Sequence, residues 1–348
     1  MQKPGVGQAL LAAVLFGIST PISKLLLQSV SPQMLAGLLY LGCGAGLAIL
    51  WIVHGRSRTA AEANLTTGDV PFLIGAIVFG GVIAPVSLLF GLSRTPAINA
   101  SLLLNMEAVF TALVAWFVFH ENVDRRIALG MVSIVAGGAL LSWTTEFEAG
   151  NVVGSLAIAG ACLSWAIDNN ITQRISGRNP IQIAGIKGLC AGALNLGLAF
   201  LVGSQAFPNR ILPSAPLLGF VSYGLSLTLY VLALRSLGTA RAGNYFSTAP
   251  FIGALVSVLI LHEPVTARLL GAGFLMAFGV WLHLTERHEH WHAHEPLDHA
   301  HLHFHDEHHQ HTHSSEDPSG EPHSHPHRHE RLEHSHPHYP DIHHRHPH

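Results

Sequence analysis

The sequence predicts an all-α polytopic membrane protein in which ten transmembrane helices form two inverted five-helix repeats. Of its 348 residues, 49% are hydrophobic and only 11% are charged, whereas soluble proteins carry about 25% charged residues. A single core cannot bury that much continuous apolar sequence, but a bilayer can. Ten apolar segments have roughly the length of a membrane crossing: about 7–27, 33–53, 70–91, 97–119, 126–144, 152–172, 181–203, 214–234, 241–262 and 267–284.

One stretch of the chain occurs twice. Residues 92–123 align with residues 234–265 at a constant offset. Both copies begin with a short basic turn, continue through about twenty mostly apolar residues and stop at a His-Glu pair. Self-similarity of this length indicates duplication. Each half then holds five helices, and because five is odd the second half enters the membrane in the opposite sense, as in many secondary transporters.

The duplication divides the chain into three parts. We expect the first repeat in residues 1–145, the second in residues 150–285, and a separate tail in residues 286–348. Lysine and arginine residues in the loops and at the helix ends number eight on the side of the N-terminus and three on the other side. Because positive charge favours the cytoplasmic side, we expect both termini in the cytoplasm of a cell that carries this multi-pass protein in its inner or plasma membrane.

The duplicated stretch resembles the EamA family of the drug/metabolite transporter superfamily. The fourth helix reads NMEAVFTALVAWFVFHE and the ninth STAPFIGALVSVLILHEPV, similar to the family's Glu-Pro-Val…Gly-Glu pattern. The Glu-Pro dipeptide is split here, because Glu107 precedes Ala108 and Pro250 follows Ala249. The resemblance covers residues 1 to about 285 and implies transport of a small metabolite or drug, without naming the substrate.

Polar residues at membrane depth mark the predicted substrate site, because such groups usually face a cavity or each other. On the sixth helix Asp168 and Thr172 share one face, since residues four apart are neighbours. Lys187 can neutralise an anionic substrate, pair with Asp168 or extend toward the membrane surface, and we expect Lys24 to do the last. The predicted substrate-binding residues are Asp168, Asn169, Thr172, Asn105, Glu107, Lys187, Tyr230, Arg241, Asn244 and Tyr245.

The two His-Glu pairs, His120-Glu121 and His262-Glu263, do not predict a joint metal site. In an inverted repeat the fourth and ninth helices end on opposite faces of the membrane. We therefore expect a local capping or loop-packing role. The helices also show no histidine expected to be well buried, no constellation of nucleophile and base, and no GxxxxGK[ST] loop, so we expect neither an enzyme nor a required cofactor.

The tail is a low-complexity segment with 23 of the chain's 27 histidines, many alternating as His-x-His. This composition cannot bury a core, so we expect disorder. Neutral imidazoles bind Zn, Ni or Co, and the tail is a predicted metal-binding segment. The predicted ligands are His288, His290, His292, His294, His299, His301, His303 and His305.

The favoured functional prediction is a secondary active transporter that moves a small solute, in the direction of export, by alternating access. Proton coupling through Asp168 or Glu107 is left open. The alternative is a transporter of divalent Ni, Co or Zn, or one regulated by metal, that uses the histidine tail. The expected partners are the lipid bilayer and a small-molecule or ion substrate, with no nucleic acid; a homodimer is left open.

Overall fold

The computed structural model describes residues 4–53, 63–119, 125–142, 149–204 and 213–285, and four short segments of the tail. These residues contain ten helical spans long and apolar enough to cross a membrane, which confirms the predicted fold class. The spans are Gly5–Leu26, Pro32–Val53, Thr67–Arg94, Ala97–Val114, Arg125–Ser142, Val152–Ile175, Pro180–Leu201, Ser214–Leu237, Arg241–Leu261 and Ala267–Leu284.

Several spans contain more than one helix. The α-helices are Pro4–Gly17, Ser19–Leu26, Pro32–Val53, Val70–Ala76, Ala84–Arg94, Ala97–Leu103, Met106–Phe119, Arg125–Ser142, Ala149–Ile175, Pro180–Leu201, Ser214–Leu218, Ser226–Phe246, Ala249–Leu261 and Ala267–Leu284. A 3₁₀ turn, Thr67–Asp69, begins the third span. The helix Ser226–Phe246 includes the end of the eighth span and the beginning of the ninth.

The fourth and ninth spans are interrupted at equivalent points of the repeat. The fourth has a break at residues 104–105, between Ala97–Leu103 and Met106–Phe119. The ninth has a break at residues 247–248, just before Ala249–Leu261. The repeat offset is 142 (234 minus 92), so residue 105 corresponds to residue 247. Discontinuous helices near the middle of the bilayer commonly form the substrate sites of transporters.

The third and eighth spans share a second irregularity, a π-helical segment. It occupies Ile77–Ile83 in the third span and Gly219–Leu225 in the eighth, and 219 minus 77 again gives the offset of 142. π-Helical turns are rare in proteins, and those that occur are often located at functional sites. Each half of the duplication therefore contains one helix break and one π-helical segment. All four irregular segments lie on the spans that surround the centre of the bundle.

Contacts between helix ends fix the direction of the spans. The carboxylate of Glu263, just after the ninth span, accepts hydrogen bonds from the backbone N–H groups of Ala97 (2.8 Å) and Ile98 (2.7 Å) at the start of the fourth. Lys24, near the end of the first span, donates to the carbonyls of Leu92 (2.6 Å) and Thr95 (2.8 Å) at the end of the third. These four ends therefore lie on one side.

A second set of contacts joins helix ends on the other side. Arg178, after the sixth span, pairs with Asp69 at the start of the third (2.9 Å). Arg235, near the end of the eighth span, donates to the carbonyls of Ser176 (2.8 Å) and Arg178 (2.9 Å). The spans thus alternate in direction, and the fourth and ninth run oppositely, as an inverted repeat requires.

Two expectations about helix ends can now be compared with the structure. Glu263 caps the fourth span, a capping role as expected for its His-Glu pair, but the contact joins the two repeats and is not local. Residues 120 and 121 lie outside the described part. Lys24 reaches the end of the third span, where the carbonyls of Leu92 and Thr95 have no helical donors after them and accept from its ammonium; its extension to the membrane surface stays a prediction.

Replacing Glu263 with alanine is expected to lower the free energy of unfolding by about 1–2 kcal/mol, because two helix N–H groups lose their acceptor and the negative charge that favours a helix N-terminus. Thermal unfolding in detergent measures the change. Glu263→Gln keeps one carbonyl acceptor and is expected to show a smaller loss. An alanine variant as stable as the wild type would contradict the capping role.

Beyond the tenth span, the described residues form four short strands: β1 Glu289–His294, β2 Leu297–His303, β3 His323–His329 and β4 Leu332–Pro337. β1 pairs antiparallel with β4, and β2 with β3. The alternation of His-x-His at period two suits an extended strand. Two-stranded ladders are only marginally stable in water, so these pairs add no packed domain.

Candidate functional site

A central pocket lies where the interrupted spans meet. Six of its lining residues are aromatic, and its charged members come from the fourth, sixth and seventh spans. The cavity has a volume of about 50 Å³, which is room for a few water molecules. Its lining consists of Phe16, Tyr40, Glu107, Trp165, Asp168, Asn169, Lys187, Ser222, Tyr223, Ser226, Leu227, Tyr230 and Phe246.

A buried ion pair forms one wall of the central pocket. The Lys187 ammonium lies 2.5 Å from Asp168 Oδ2, and the two residues are 1% and 3% exposed. Thr172 donates to the second carboxylate oxygen of Asp168 at 3.0 Å. The sixth and seventh spans make few direct contacts with each other; both pack against the π-helical segment Ile77–Ile83 of the third span, which brings these residues together. The structure thus selects pairing among the three roles that the sequence leaves open for Lys187.

A second carboxylate enters the pocket beside the break in the fourth span. Glu107 lies in the first turn of the helix Met106–Phe119, and its Oε1 accepts a hydrogen bond from the Asn169 amide at 2.7 Å. Asn169 directly follows Asp168 on the sixth span, so one helix supplies the first of the two carboxylates and the amide that binds the second. Unlike Asp168, Glu107 is only partly buried.

The π-helical segment of the third span forms the floor beneath the ion pair. Pro85 lacks an N–H group, so it cannot donate to a carbonyl in the preceding turn. The Gly80 carbonyl accepts instead from the Tyr40 hydroxyl (2.5 Å) and from Trp165 Nε1 (3.3 Å), and Asn195 donates to the next carbonyl at 2.9 Å. Side chains of the second, sixth and seventh spans therefore donate to these two carbonyls.

Aromatic rings contact each other around the cavity. Phe16, beside the break in the first span, lies edge-on to Trp165 and Tyr223, with ring centroids 5.6 Å apart in both pairs. It also contacts Phe246 at 5.3 Å, and Phe246 contacts Tyr230 at 4.8 Å. Such pairs contribute about 0.5–1.5 kcal/mol each beyond their burial, so these contacts help to hold the aromatic walls of the pocket in place.

Three residues of the eighth span that line the pocket carry buried hydroxyl groups without a hydrogen-bond partner. Ser222 Oγ, Tyr223 OH and Tyr230 OH form no hydrogen bond among the described residues. Ser222 and Tyr223 belong to the π-helical segment, and all three residues are at most 5% exposed. Buried polar groups without partners cost stability, so these three hydroxyls are available to a molecule that enters.

A smaller side chamber adjoins the central pocket at the breaks of the fourth and ninth spans. Its volume is about 20 Å³, and Phe16, Glu107 and Phe246 line both spaces. The contact between Phe16 and Phe246 thus separates the two cavities, while Glu107 faces each of them. Residues at the two breaks, including Leu104 and Ser247, complete the chamber's lining.

The structure brings together five of the ten predicted substrate-binding residues: Asp168, Asn169, Glu107, Lys187 and Tyr230 line the central pocket. Thr172 lies behind them and hydrogen-bonds to Asp168.

Four predicted substrate-binding residues lie outside the lining of both cavities. Asn105 is buried at the break and donates to the Leu102 carbonyl at 3.0 Å, and Asn244 donates to the His283 carbonyl at 3.2 Å. Tyr245 packs in an apolar cluster between the first and eighth spans. Arg241 lies at the beginning of the ninth span.

Sequence reasoning missed most of the aromatic lining. Phe16, Tyr40, Trp165 and Phe246 resemble ordinary apolar residues of membrane helices. One signal was available for Phe246, since it is the repeat equivalent of Leu104 and directly precedes the ninth-span break.

Metal ligands do not cluster in the described part of the chain: it contains no group of three or more His, Cys, Asp or Glu side chains that could hold an ion. One histidine is buried there, His283, whose ring lies 3.2 Å from the Ile127 carbonyl. The expectation that the helices hold no buried histidine was therefore wrong.

Of the predicted tail ligands, His288 and His305 lie outside the described residues, and the other six lie on β1 and β2. Metal binding by the tail stays a prediction.

The comparison with known protein families divides the chain into the same two halves. The sequence profile described as the EamA-like transporter family matches residues 3–143 and again residues 152–285. The chain belongs to the EamA-like transporter family. It is therefore a multi-pass membrane protein of a transporter family, and the matched ranges leave the histidine-rich tail outside.

Several relatives extend over most of the EamA-like region. The chain is 28% identical over 285 residues to an uncharacterized transporter of Methanothermobacter thermautotrophicus, covering 78% of this chain and 83% of that one. It is 24% and 25% identical to probable amino-acid metabolite efflux pumps of Salmonella typhimurium and Escherichia coli, covering 79% of this chain and 93% of each relative. A solved crystal structure with 18% identity superposes with a TM-score of 0.62 over 81% of this chain and 96% of that one, which shows a shared fold.

Proposed function

We propose that this EamA-like transporter moves a small organic solute through the central pocket by alternating access. The observation that carries the proposal is the position of the pocket between helices that are irregular at equivalent points of both repeats: breaks in the fourth and ninth spans and π-helical segments in the third and eighth. Irregular backbone at membrane depth is tolerated where it lines a cavity, and such sites lie between the repeats of other transporters.

The size of the pocket requires a conformational change during transport. A cavity of about 50 Å³ holds a few waters but no molecule of amino-acid size. Binding must therefore separate Phe16 from Phe246 or move the half-helices beyond the breaks. The break at residues 247–248 supplies a hinge directly beside Phe246, so rotation of the helix Ala249–Leu261 would open the side chamber into the central pocket.

Export is the direction that we propose, because two relatives are named as probable efflux pumps. Glu107 is the residue that we propose for proton coupling. It faces both cavities and is only partly buried, whereas Asp168 is neutralised by Lys187 at 2.5 Å. A proton on Glu107 would accordingly compete with a bound solute without disturbing the ion pair.

Counterflow into proteoliposomes tests the proposal. Vesicles are preloaded with unlabelled solutes, and uptake of a radiolabelled panel of the twenty common amino acids and short organic amines is measured. We expect the wild type to accumulate at least one member above protein-free vesicles, and Glu107→Gln to reduce that uptake at least tenfold. Failure of every member to move above the vesicle background would refute transport of solutes of this kind.

A further inference from the structure

The charges around the two cavities define what a bound solute must supply. Their lining includes two carboxylates, Asp168 and Glu107, and one cation, Lys187. Lys187 and Asp168 are buried against each other at 2.5 Å, so their charges cancel. Glu107 has an amide as its neighbour, and the ion pairs among the described residues do not include it.

We infer that the transported solute is a small organic monocation, an amine whose ammonium group binds Glu107 and whose apolar body lies against the aromatic walls. The inference rests on the proposed function and specifies its substrate class. A carboxylate in a low-dielectric site interacts strongly with a nearby positive charge, and an ammonium supplies that charge without a rearrangement of the ion pair.

An anionic or zwitterionic solute fits this arrangement less well. Its carboxylate would find a cation in the pocket only by drawing Lys187 away from Asp168. Removing one partner from a buried ion pair is strongly unfavourable, because the other charge remains buried without compensation. The pocket therefore discriminates against a carboxylate even though it contains a lysine.

The uncharged lining supports the same class of solute. Aromatic faces attract ammonium groups, and six aromatic side chains line the central pocket. The hydroxyls of Ser222, Tyr223 and Tyr230, which have no partner among the described residues, can accept hydrogen bonds from an N–H donor. A hydroxyl can also donate to a carboxylate, so these groups add capacity to bind a primary ammonium, while the charges of the pocket decide the class of solute.

Isothermal titration of the full chain in detergent tests the inference with three probes that share a phenylalkyl body. 2-Phenylethylamine is a cation, L-phenylalanine is a zwitterion and 3-phenylpropionate is an anion at neutral pH. We expect the amine to bind at least tenfold more tightly than either of the other two. Equal or tighter binding of the zwitterion or the anion would overturn the inference, as would failure of the amine to bind.

Matched variants locate the binding group. Glu107→Gln is expected to weaken amine binding at least tenfold. Asp69→Asn, which alters a carboxylate paired with Arg178 outside the pocket, is expected to leave it unchanged. Unaltered affinity in Glu107→Gln would overturn the assignment. Amine binding without counterflow would refute the proposed transport instead, and counterflow restricted to neutral or zwitterionic solutes would refute the inference alone.

Discussion

Replacing Lys187 with methionine is expected to lower the free energy of unfolding by about 3–5 kcal/mol, because the Asp168 carboxylate stays buried without its cation. Methionine has a similar length, so little packing is lost. Both residues of the pair are nearly inaccessible, so bulk solvent cannot hydrate the unpaired carboxylate. Chemical unfolding in detergent measures the stability, and counterflow is expected to fall with it.

The reciprocal variants turn this expectation into a double-mutant cycle. Asp168→Asn leaves the lysine unpaired and is also expected to destabilise, whereas Lys187→Met combined with Asp168→Asn removes both charges and is expected to recover most of the loss. Non-additivity of this kind measures the interaction between the two residues. If the double variant lost the sum of the two single losses, the buried pair would not be what stabilises this wall.

Replacing Gly80 with alanine is expected to cost about 1–3 kcal/mol, the usual penalty for overfilling a packed site, and to abolish counterflow. A Cβ atom at Gly80 would overlap the Asp168 carboxylate and approach Lys187 Nζ. The ion pair cannot retreat, since the same carboxylate also accepts from Thr172. Thermal unfolding and counterflow together report the effect.

Gly160 supplies the matched control for the Gly80 variant. It lies in the interior of the sixth-span helix, and a Cβ atom there meets nothing within 4 Å. Gly160→Ala is therefore expected to be neutral or to stabilise by about 0.5–1 kcal/mol, since alanine is the better helix former. Equal effects at the two glycines would show that the contact with Asp168 does not matter.

The fold was predictable because its signals are strong and repeated. Ten apolar segments of membrane length predict the spans, and the duplication predicts their inverted arrangement. The helix breaks were less accessible, since NMEAVF contains no helix-breaking Gly or Pro and STAPFI contains Pro250 only at a position that a helix start also tolerates. Only comparison of the two copies in three dimensions shows that residues 105 and 247 are equivalent interruptions.

The charged residues of the site could be predicted from the sequence, because charged residues are rare in membrane-spanning helices. Asp168, Glu107 and Lys187 stand out because charges are costly in lipid, and pairing of the first with the third was one of the roles considered. The aromatic walls were not predictable, because Phe16 and Phe246 differ from neighbouring apolar residues only in that the adjacent helix breaks orient their rings toward the pocket. The amino-acid composition does not determine that orientation.

The account depends most on a pocket that opens alternately to the two sides of the membrane. Ser222 is fully buried and lines it, so a cysteine placed there reports opening. The measurement is the reaction of Ser222→Cys with a membrane-impermeant thiol reagent applied to either side of oriented vesicles, in a chain whose Cys43, Cys162 and Cys190 are replaced by alanine. Reaction from both sides, slowed by the transported amine, is the predicted result. Reaction from one side only, or a rate unaffected by solute, would contradict alternating access through this pocket.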